Sequence, residues 1–402
     1  MSLSKPSSSN PNILFTLYFL MFAAGGIYFT YFLIFLRQSG LTSAQIGVIN
    51  MSGGVVAFFA STLWGYLSDR TGKARLLLAF AIAANGAIAL LYPLAHAFPA
   101  FLAIACVFAI FNAAIMTLMD SLALNLLGER RHEYGKYRLG GTFGYISTTL
   151  TIGFLFERIG LRWMFPIYFL IMLLYALLAT RLPDSSTGAS RSSLPSLKAL
   201  GTLLRQPGWG VFLATTFLIW LASSGAISFL GIKLKGMGAS DSLVGVVASA
   251  AAIFEIPFML YSGQIMRKLG IPRTLWFAII GYIARVFLYT VIPTPEWAIA
   301  VNGLNGVSYV LYWNAALQFN NQNAPENLKA TAQGILVSTM NLASVASALL
   351  TGGLYDAIGA DPVYSLLAGI CVLALILFTL GNRRLVFPPR TEAEPLAQAD
   401  RT

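Results

Sequence analysis

The chain is built almost entirely from long apolar segments, each about the length of a bilayer-spanning helix. A span needs about 20 mainly apolar residues. Of the 402 residues, 57% are hydrophobic and only 10% are charged, whereas roughly a quarter of a soluble domain is charged. This pattern predicts an all-α membrane protein with twelve transmembrane helices. The segments fall at 13–36, 43–67, 74–93, 98–127, 138–156, 163–181, 209–232, 243–266, 274–293, 297–319, 331–355 and 362–381.

A polar stretch rich in Ser and Pro separates the twelve segments into two groups of six. The predicted domains are an N-terminal six-helix bundle (1–181), a cytoplasmic linker (182–207), a C-terminal six-helix bundle (208–382) and a cytoplasmic tail (383–402). Within the linker, residues 190–204 suit an amphipathic surface helix and a plain linker equally well. The first apolar segment is too long for a cleaved signal and is interpreted as the first span.

Positive charge is unevenly distributed over the loops. If the N-terminus is cytoplasmic and the chain crosses twelve times, 19 of the 26 Lys and Arg residues lie on the cytoplasmic side and 5 on the other. The remaining two, Arg138 and Arg285, lie inside spans. Cytoplasmic loops of membrane proteins carry such an excess. The distribution predicts a multi-pass protein of the cell membrane with both termini in the cytoplasm, and it explains the net charge of +11 without a nucleic-acid partner.

The two groups of six are related in sequence. A run at 155–160, Leu-Phe-Glu-Arg-Ile-Gly, returns at 354–359 as Leu-Tyr-Asp-Ala-Ile-Gly. Duplicated halves of this kind place the substrate site near the middle of the bilayer, between the halves. Five positions recur with a shift of 198 residues, namely Gly40, Gly47, Gly65, Gly72 and Arg75, which return as Gly238, Gly245, Gly263, Gly270 and Arg273.

The loop between the second and third segments carries a motif. Residues 65–75 read G-Y-L-S-D-R-T-G-K-A-R, which resembles the signature loop of the major facilitator superfamily, G-x-L-x-D-R-x-G-[RK]-[RK]-x, with Ala74 in place of a base. The resemblance implies the fold of that superfamily, two pseudo-repeated six-helix bundles, and a latch that helps to hold the outward-facing state. A merely solvated basic loop is the alternative. The predicted latch residues are Gly65, Asp69, Arg70, Gly72, Lys73 and Arg75.

Four ionisable residues lie well within the spans: Asp120, Arg138, Glu255 and Arg285. A charge at this depth costs at least ~2.5–3.5 kcal/mol, so we expect these side chains to face the protein interior, with Asp120 near Arg138 and Glu255 near Arg285. Static ion locks are the alternative, but buried pairs often give no net stability relative to apolar packing. Asp120 and Glu255 are therefore the candidate proton carriers, since carboxylates can lose their charge when they are desolvated.

The stretch from Asp120 to Tyr145 resembles the sugar-binding stretch of the oligosaccharide:proton symporter branch, which includes lactose permease and the 3-phenylpropionate transporter. Residues 134–138 read Y-G-K-Y-R, a form of the branch's Y-G-x-x-R motif. Asp120 lies eighteen residues before the arginine, and Tyr145 lies seven residues after it. The resemblance implies that five residues bind substrate, namely Asp120, Arg138, Tyr145, Glu255 and Arg285.

The sequence also departs from that branch. By spacing, Ser224, Ile227, Asn302 and Asn341 stand where lactose permease has buried ion pairs, and Ser308 replaces its proton-site glutamate. Two alternatives therefore remain: either Asp120 or Glu255 carries the coupled proton, or the protein is a uniporter. Further polar and aromatic residues are predicted to complete the substrate site, although each also suits helix packing. They are Tyr28, Asn112, Asn305, Tyr309, Trp313 and Asn314.

Proton-coupled symport of a small solute, such as a sugar, a nucleoside or an aromatic organic acid, is the predicted function. A proton-coupled exporter of the same fold and a non-transporting membrane sensor are the alternatives. The predicted partners are a small molecule, a proton and the lipid bilayer, and the chain is expected to act as a monomer. The sequence offers no nucleophile–base pair, metal-ligand cluster or phosphate-binding loop. We therefore expect neither enzymatic activity nor a bound cofactor.

Overall fold

The computed structural model describes residues 12–183, 203, 208–325 and 328–386, and the regular elements in these ranges are helical. Short 3₁₀ turns at Tyr92–Leu94, Gly128–Glu133 and Leu161–Trp163 join helices of the first half. That half contains six long helices: α1 (Asn12–Gln38), α2 (Ser43–Thr71), α3 (Ala74–Ala89), α4 (Phe98–Leu127), α5 (Tyr134–Ile159) and α6 (Met164–Ala179).

The second half contains α7 (Trp209–Gly236), α8 (Asp241–Leu269) and α9 (Ile271–Val291). Its tenth span consists of α10 (Trp297–Asn302), a π-helical turn (Gly306–Val310) and α11 (Leu311–Asn323). The last elements are α12 (Lys329–Ile358), α13 (Ala360–Gly381) and the short α14 (Arg383–Val386). Most of the predicted linker and of the predicted tail lies outside the described residues.

Ten segments of the described chain are long and apolar enough to cross a bilayer. One of them, 98–159, comprises α4, α5 and the turn between them, so it crosses twice. The interrupted tenth span adds one more crossing, because each of its pieces is too short to be counted alone. The arrangement therefore accommodates the twelve predicted crossings.

The tenth span differs from the prediction of one continuous apolar segment at 297–319. The α-helix stops at Asn302, is followed by Gly303, and resumes through the π-helical turn. A Cβ atom on Gly306 would collide with the ring of Phe258 in α8, so the two spans approach closely at this point. Single π-helical turns are rare and are often found at functional sites.

Helices of the two halves meet at one end of the molecule. Within the halves, α1 packs on α5, α2 on α4, α7 on α12 and α9 on α13; between them, α2 packs on α12, α5 on α8 and α1 on α7. A Cβ atom on Gly47 would collide with the carbonyl oxygen of Ala348, so this glycine permits the close approach of α2 to α12. We call this end the outer face, because the charge distribution predicts it to be extracellular. It includes residues 38–43, 159–163, 236–241, 292–296 and 358–360.

Two carboxylates join the halves at the outer face. Asp356, near the end of α12, accepts hydrogen bonds from the backbone N–H and the hydroxyl of Ser43, the first residue of α2, and pairs with Arg37 at 3.0 Å. Glu157, near the end of α5, accepts the backbone N–H and the hydroxyl of Ser242, the second residue of α8, at 2.9 and 2.6 Å. Free N–H groups and partial positive charge at a helix N-terminus favour a carboxylate there.

The opposite end, the inner face, carries the signature loop. Gly72 ends α2 with a left-handed φ of 65°, and its N–H donates to the carbonyl oxygen of Ser68 at 2.9 Å, so the chain turns tightly at this point. Asp69 is exposed and makes no ion pair within the described ranges. The hydrogen bonds described between the halves lie toward the outer face instead. The protein is therefore closed at the outer face.

Candidate functional site

A hydrogen-bonded cluster in the first half surrounds Asp120. Tyr18 of α1 and Tyr134 of α5 donate their hydroxyl groups to one carboxylate oxygen at 2.6 and 2.7 Å. Arg138 lies 3.5 Å from the other carboxylate oxygen and donates to the hydroxyl of Tyr134 at 2.7 Å. The structure thus brings Asp120 and Arg138 together, and both side chains stay partly exposed.

Local helix geometry explains this cluster. Tyr134 and Arg138 are four residues apart on α5, so their side chains lie on the same face of the helix. The 3₁₀ turn at Gly128–Glu133 reverses the chain, which brings the beginning of α5 beside the end of α4, where Asp120 is located. A carboxylate, a guanidinium group and two hydroxyl groups converge there, so the cluster offers both donors and acceptors to a polar ligand.

A second cluster, in the other half, contains Arg285, which is only 3% exposed. Its guanidinium group donates to the amide oxygens of Asn305 and of Asn302, the latter at 2.9 Å. The oxygen of Asn302 also accepts the hydroxyl of Tyr289, and its amide nitrogen donates to the carbonyl oxygen of Val247 at 2.8 Å. Arg285 is therefore fixed by neutral acceptors on the tenth span.

Glu255 joins this second cluster through Asn305. The Asn305 amide nitrogen donates to Glu255, while the amide oxygen accepts from Arg285. No ion pair between Glu255 and Arg285 occurs within the described part of the chain. The two side chains do lie near each other, but a neutral amide bridges them in place of a direct ion pair. The reason is that the broken tenth span offers the guanidinium group two amide acceptors.

A cavity of about 340 Å³ lies within the first half, between α1, α4, α5 and α6. Three predicted site residues, Tyr28, Asn112 and Tyr145, line it together with Phe29. The ring of Tyr28 is stacked on Phe32 at 4.5 Å and on Phe108 at 4.4 Å between centroids. Both faces of Tyr28 are therefore covered, so that it offers only its edge to the cavity.

An aromatic cluster lies on the second half. Trp220 of α7 lies 6.0 Å from Tyr309 and 5.9 Å from Trp313, measured between ring centroids, and Tyr309 is stacked on Trp313 at 6.4 Å. All three side chains are half-buried. Asn314, the next residue, points elsewhere and donates to the hydroxyl of Ser262 in α8 at 3.2 Å. We call Trp220, Tyr309 and Trp313 the aromatic triad.

Several residues that hold these groups were not assigned from sequence. Tyr18 is fully buried against Asp120, Tyr289 shares the amide oxygen of Asn302 with Arg285, and Trp220 completes the aromatic triad. The sequence did contain a signal for the contact of Tyr289 with Arg285, since the two lie four residues apart on the same helix face. The sequence contained no such signal for Tyr18 and Trp220, because each contacts partners about one hundred residues away in sequence.

Among the described residues, no group of three or more His, Cys, Asp or Glu side chains could hold a metal ion.

The MFS_1 like family matches residues 12–366. The chain belongs to this family. It is thus a member of the major facilitator superfamily, and its helical architecture is the fold of that superfamily.

Relatives of this major facilitator protein are transporters. The maltose permease of Geobacillus stearothermophilus is 30% identical over 371 residues, which cover 91% of this chain and 93% of the permease. The uncharacterized transporter YwbF of Bacillus subtilis (strain 168) is 28% identical over 342 residues, 84% of each chain. The crystal structure of the nucleoside transporter NupG superposes with a TM-score of 0.82 at 17% identity, covering 93% of this chain and 99% of that chain. The protein is therefore a multi-pass membrane transporter and not an enzyme.

Proposed function

We propose that this transporter carries a small ring-containing solute together with a proton, in symport, by alternating access. The observation that supports this best is the pair of carboxylate–guanidinium clusters, one in each half, in a protein that is closed at its outer face. Ionisable side chains within a membrane are functional by default, since they are expensive to keep there. Substrate would bind between the two clusters, where duplicated halves place such sites.

Sugars are the first substrates to test, because the maltose permease is similar to this chain over nearly its whole length. The proposed contacts follow from chemistry. Asp120 and Arg138 present acceptors and donors to hydroxyl groups, and Tyr145 presents an aromatic ring to the apolar face of a sugar. Glu255 and Asn305 add hydrogen bonds from the second half. Asn112, Tyr28 and Trp313 are assigned to the walls of the site, and Arg285 to the orientation of Asn305.

Of the two carboxylates, we assign the proton to Glu255. Asp120 accepts two hydroxyl hydrogens and lies beside Arg138. Glu255 accepts one amide hydrogen bond, from Asn305, which also separates it from Arg285. Protonation therefore disrupts fewer contacts at Glu255 than at Asp120.

The arrangement of the two faces supports an inward-facing state. The Asp356 and Glu157 contacts hold the outer face closed, while Asp69 of the signature loop makes no ion pair in the residues described. In the outward-facing state, we expect the outer contacts to break and the latch formed by Gly65, Asp69, Arg70, Gly72, Lys73 and Arg75 to engage.

Uptake into proteoliposomes tests the proposal. Radiolabelled maltose, uridine and 3-phenylpropionate are supplied outside vesicles that have an alkaline interior. We expect at least one substrate to accumulate above its external concentration, and a protonophore to abolish the accumulation. Glu255→Gln should lose accumulation, because the carrier can no longer exchange a proton there.

A matched control is Glu296→Gln, which changes an exposed glutamate in the loop before α10 and should transport like the wild type. Accumulation that withstands the protonophore would contradict proton coupling. Accumulation by Glu255→Gln at the wild-type level would contradict the assignment of the proton to Glu255.

A further inference from the structure

The aromatic triad lies next to the charged network of its own half. Asn305, Tyr309 and Trp313 are spaced by four residues along the tenth span, so they form one stripe on the same side of the helix. Asn305 bonds Glu255 and Arg285, so the triad continues the cluster toward the inner face. Its neighbours in sequence, such as Val310 and Tyr312, are buried, whereas the triad itself is half-buried.

The triad also lies opposite the cluster of the other half. The hydroxyl of Tyr309 interacts electrostatically with both Glu255 and Arg138, although Arg138 belongs to the first half. The depths of the rings in the bilayer support the same arrangement. Trp220 and Tyr145 each lie eleven residues after the inner end of their helices, α7 and α5, which is roughly 16 Å at about 1.5 Å per residue. Rings of the two halves therefore lie at a similar depth.

The charges near the rings favour a neutral ligand. Arg138 is already paired with Asp120 and bonded to Tyr134, and Arg285 is buried against two amides. Because Asp120 already balances the charge of Arg138, the carboxylate of an aromatic acid would add an uncompensated negative charge at this cluster. A hydroxyl group both donates and accepts, so that adjacent hydroxyl groups fit a paired carboxylate and guanidinium without breaking the pair. The C–H face of a pyranose ring can lie on an aromatic ring at the same time.

We propose that the aromatic triad is a second stacking surface for a neutral glycoside, facing Tyr145, and that Trp220 is a specificity-determining residue of the site. This inference rests on the proposed transport function and names its substrate class. One ring on each half lets the solute contact both halves as they close around it. Trp220 is the most informative member, because it comes from α7 and is separated in sequence from the charged residues.

The test is maltose binding by the full chain in lipid nanodiscs, followed by intrinsic tryptophan fluorescence. Maltoside detergents are avoided, because their headgroup would compete. We expect maltose to quench the wild-type signal. Trp220→Ala should raise the Kd at least tenfold, and Trp220→Phe, which keeps an aromatic ring, should change it less than threefold. In proteoliposomes, Trp220→Ala should raise the KM for maltose at least tenfold while kcat changes less than threefold.

The matched control is Trp297→Ala at the outer end of the tenth span, where the side chain is 57% exposed; its Kd should equal that of the wild type. A Trp220→Ala variant that binds like this control would overturn the proposal. Binding of uridine or 3-phenylpropionate without binding of maltose would overturn the glycoside assignment, as would the absence of any response to maltose. Maltose binding that depends on Trp220, with uptake insensitive to a protonophore, would instead refute symport alone.

Discussion

Neutralising Asp356 should shift this transporter away from its present conformation. In the structure, Asp356 joins the end of α12 to the N-terminus of α2 by accepting two hydrogen bonds from Ser43 and pairing with Arg37 at 3.0 Å. These partners belong to the other half of the protein. Asp356→Asn keeps the shape of the side chain but removes its charge and one acceptor oxygen, so that closure of the outer face should weaken.

The magnitude follows from the exposure of the groups. A hydrogen bond to a charged group contributes about 1.5–3 kcal/mol, whereas an exposed ion pair contributes about 0–1 kcal/mol. The side chains of Arg37 and Asp356 are 42% and 33% exposed, so the lower values apply. Because asparagine retains one acceptor, we expect a loss of about 1–2 kcal/mol, which corresponds to a factor of about 5–30 in the equilibrium between closed and open outer faces.

Distances between spin labels can measure this equilibrium. Spin labels are attached to cysteines introduced by Arg162→Cys in the first half and Thr294→Cys in the second half. Both positions are exposed at the outer face. The native Cys106 and Cys371 are first replaced by Ser and Ala. Double electron–electron resonance should show mainly the short distance in the wild type and an added long-distance population in Asp356→Asn.

The internal repeat supplies a second variant and a control. Glu157→Gln should shift the populations in the same direction, since its contact with Ser242 is the repeat-related equivalent. Glu296 is also a glutamate of the outer face, but among the described residues it makes no hydrogen bond or ion pair with the other half. Glu296→Gln should therefore leave the distances unchanged. If Asp356→Asn and Glu157→Gln both reproduce the wild-type distance distribution, the carboxylates do not hold the outer face closed.

Three further predictions concern stability. Asn302→Ala should lower the free energy of unfolding by about 1–3 kcal/mol, because buried Arg285 loses an acceptor; an unchanged Tm would contradict this. Asp361→Asn should destabilise the protein more than Lys233→Met, because the lysine of this pair is 4% exposed and the aspartate 62%, and removing the exposed partner leaves a buried charge. Thermal unfolding of the two variants in parallel tests this order, and a lower Tm for Lys233→Met would contradict it. Gly72→Val should cost about 1–2 kcal/mol through its left-handed conformation, and equal melting of variant and wild type would exclude that strain.

The sequence by itself determined the membrane class, the positions of the spans and the ionisable residues inside them. Hydropathy is a local property, because each span must be apolar over its own length whatever it packs against. The cluster of Asp120 with Arg138 could be anticipated as well, since a short turn connects their helices.

Tertiary structure alone decided the rest of the candidate site. The bridge of Asn305 between Glu255 and Arg285 depends on where the tenth span breaks and on its close approach to α8 at Gly306. The covered faces of Tyr28 and the meeting of Trp220 with Trp313 depend on packing between helices far apart in the chain. The closure of the outer face by Asp356 likewise joins residues about three hundred positions apart. Such contacts leave no periodic or local mark in a sequence, because they are set by how whole helices are placed against one another.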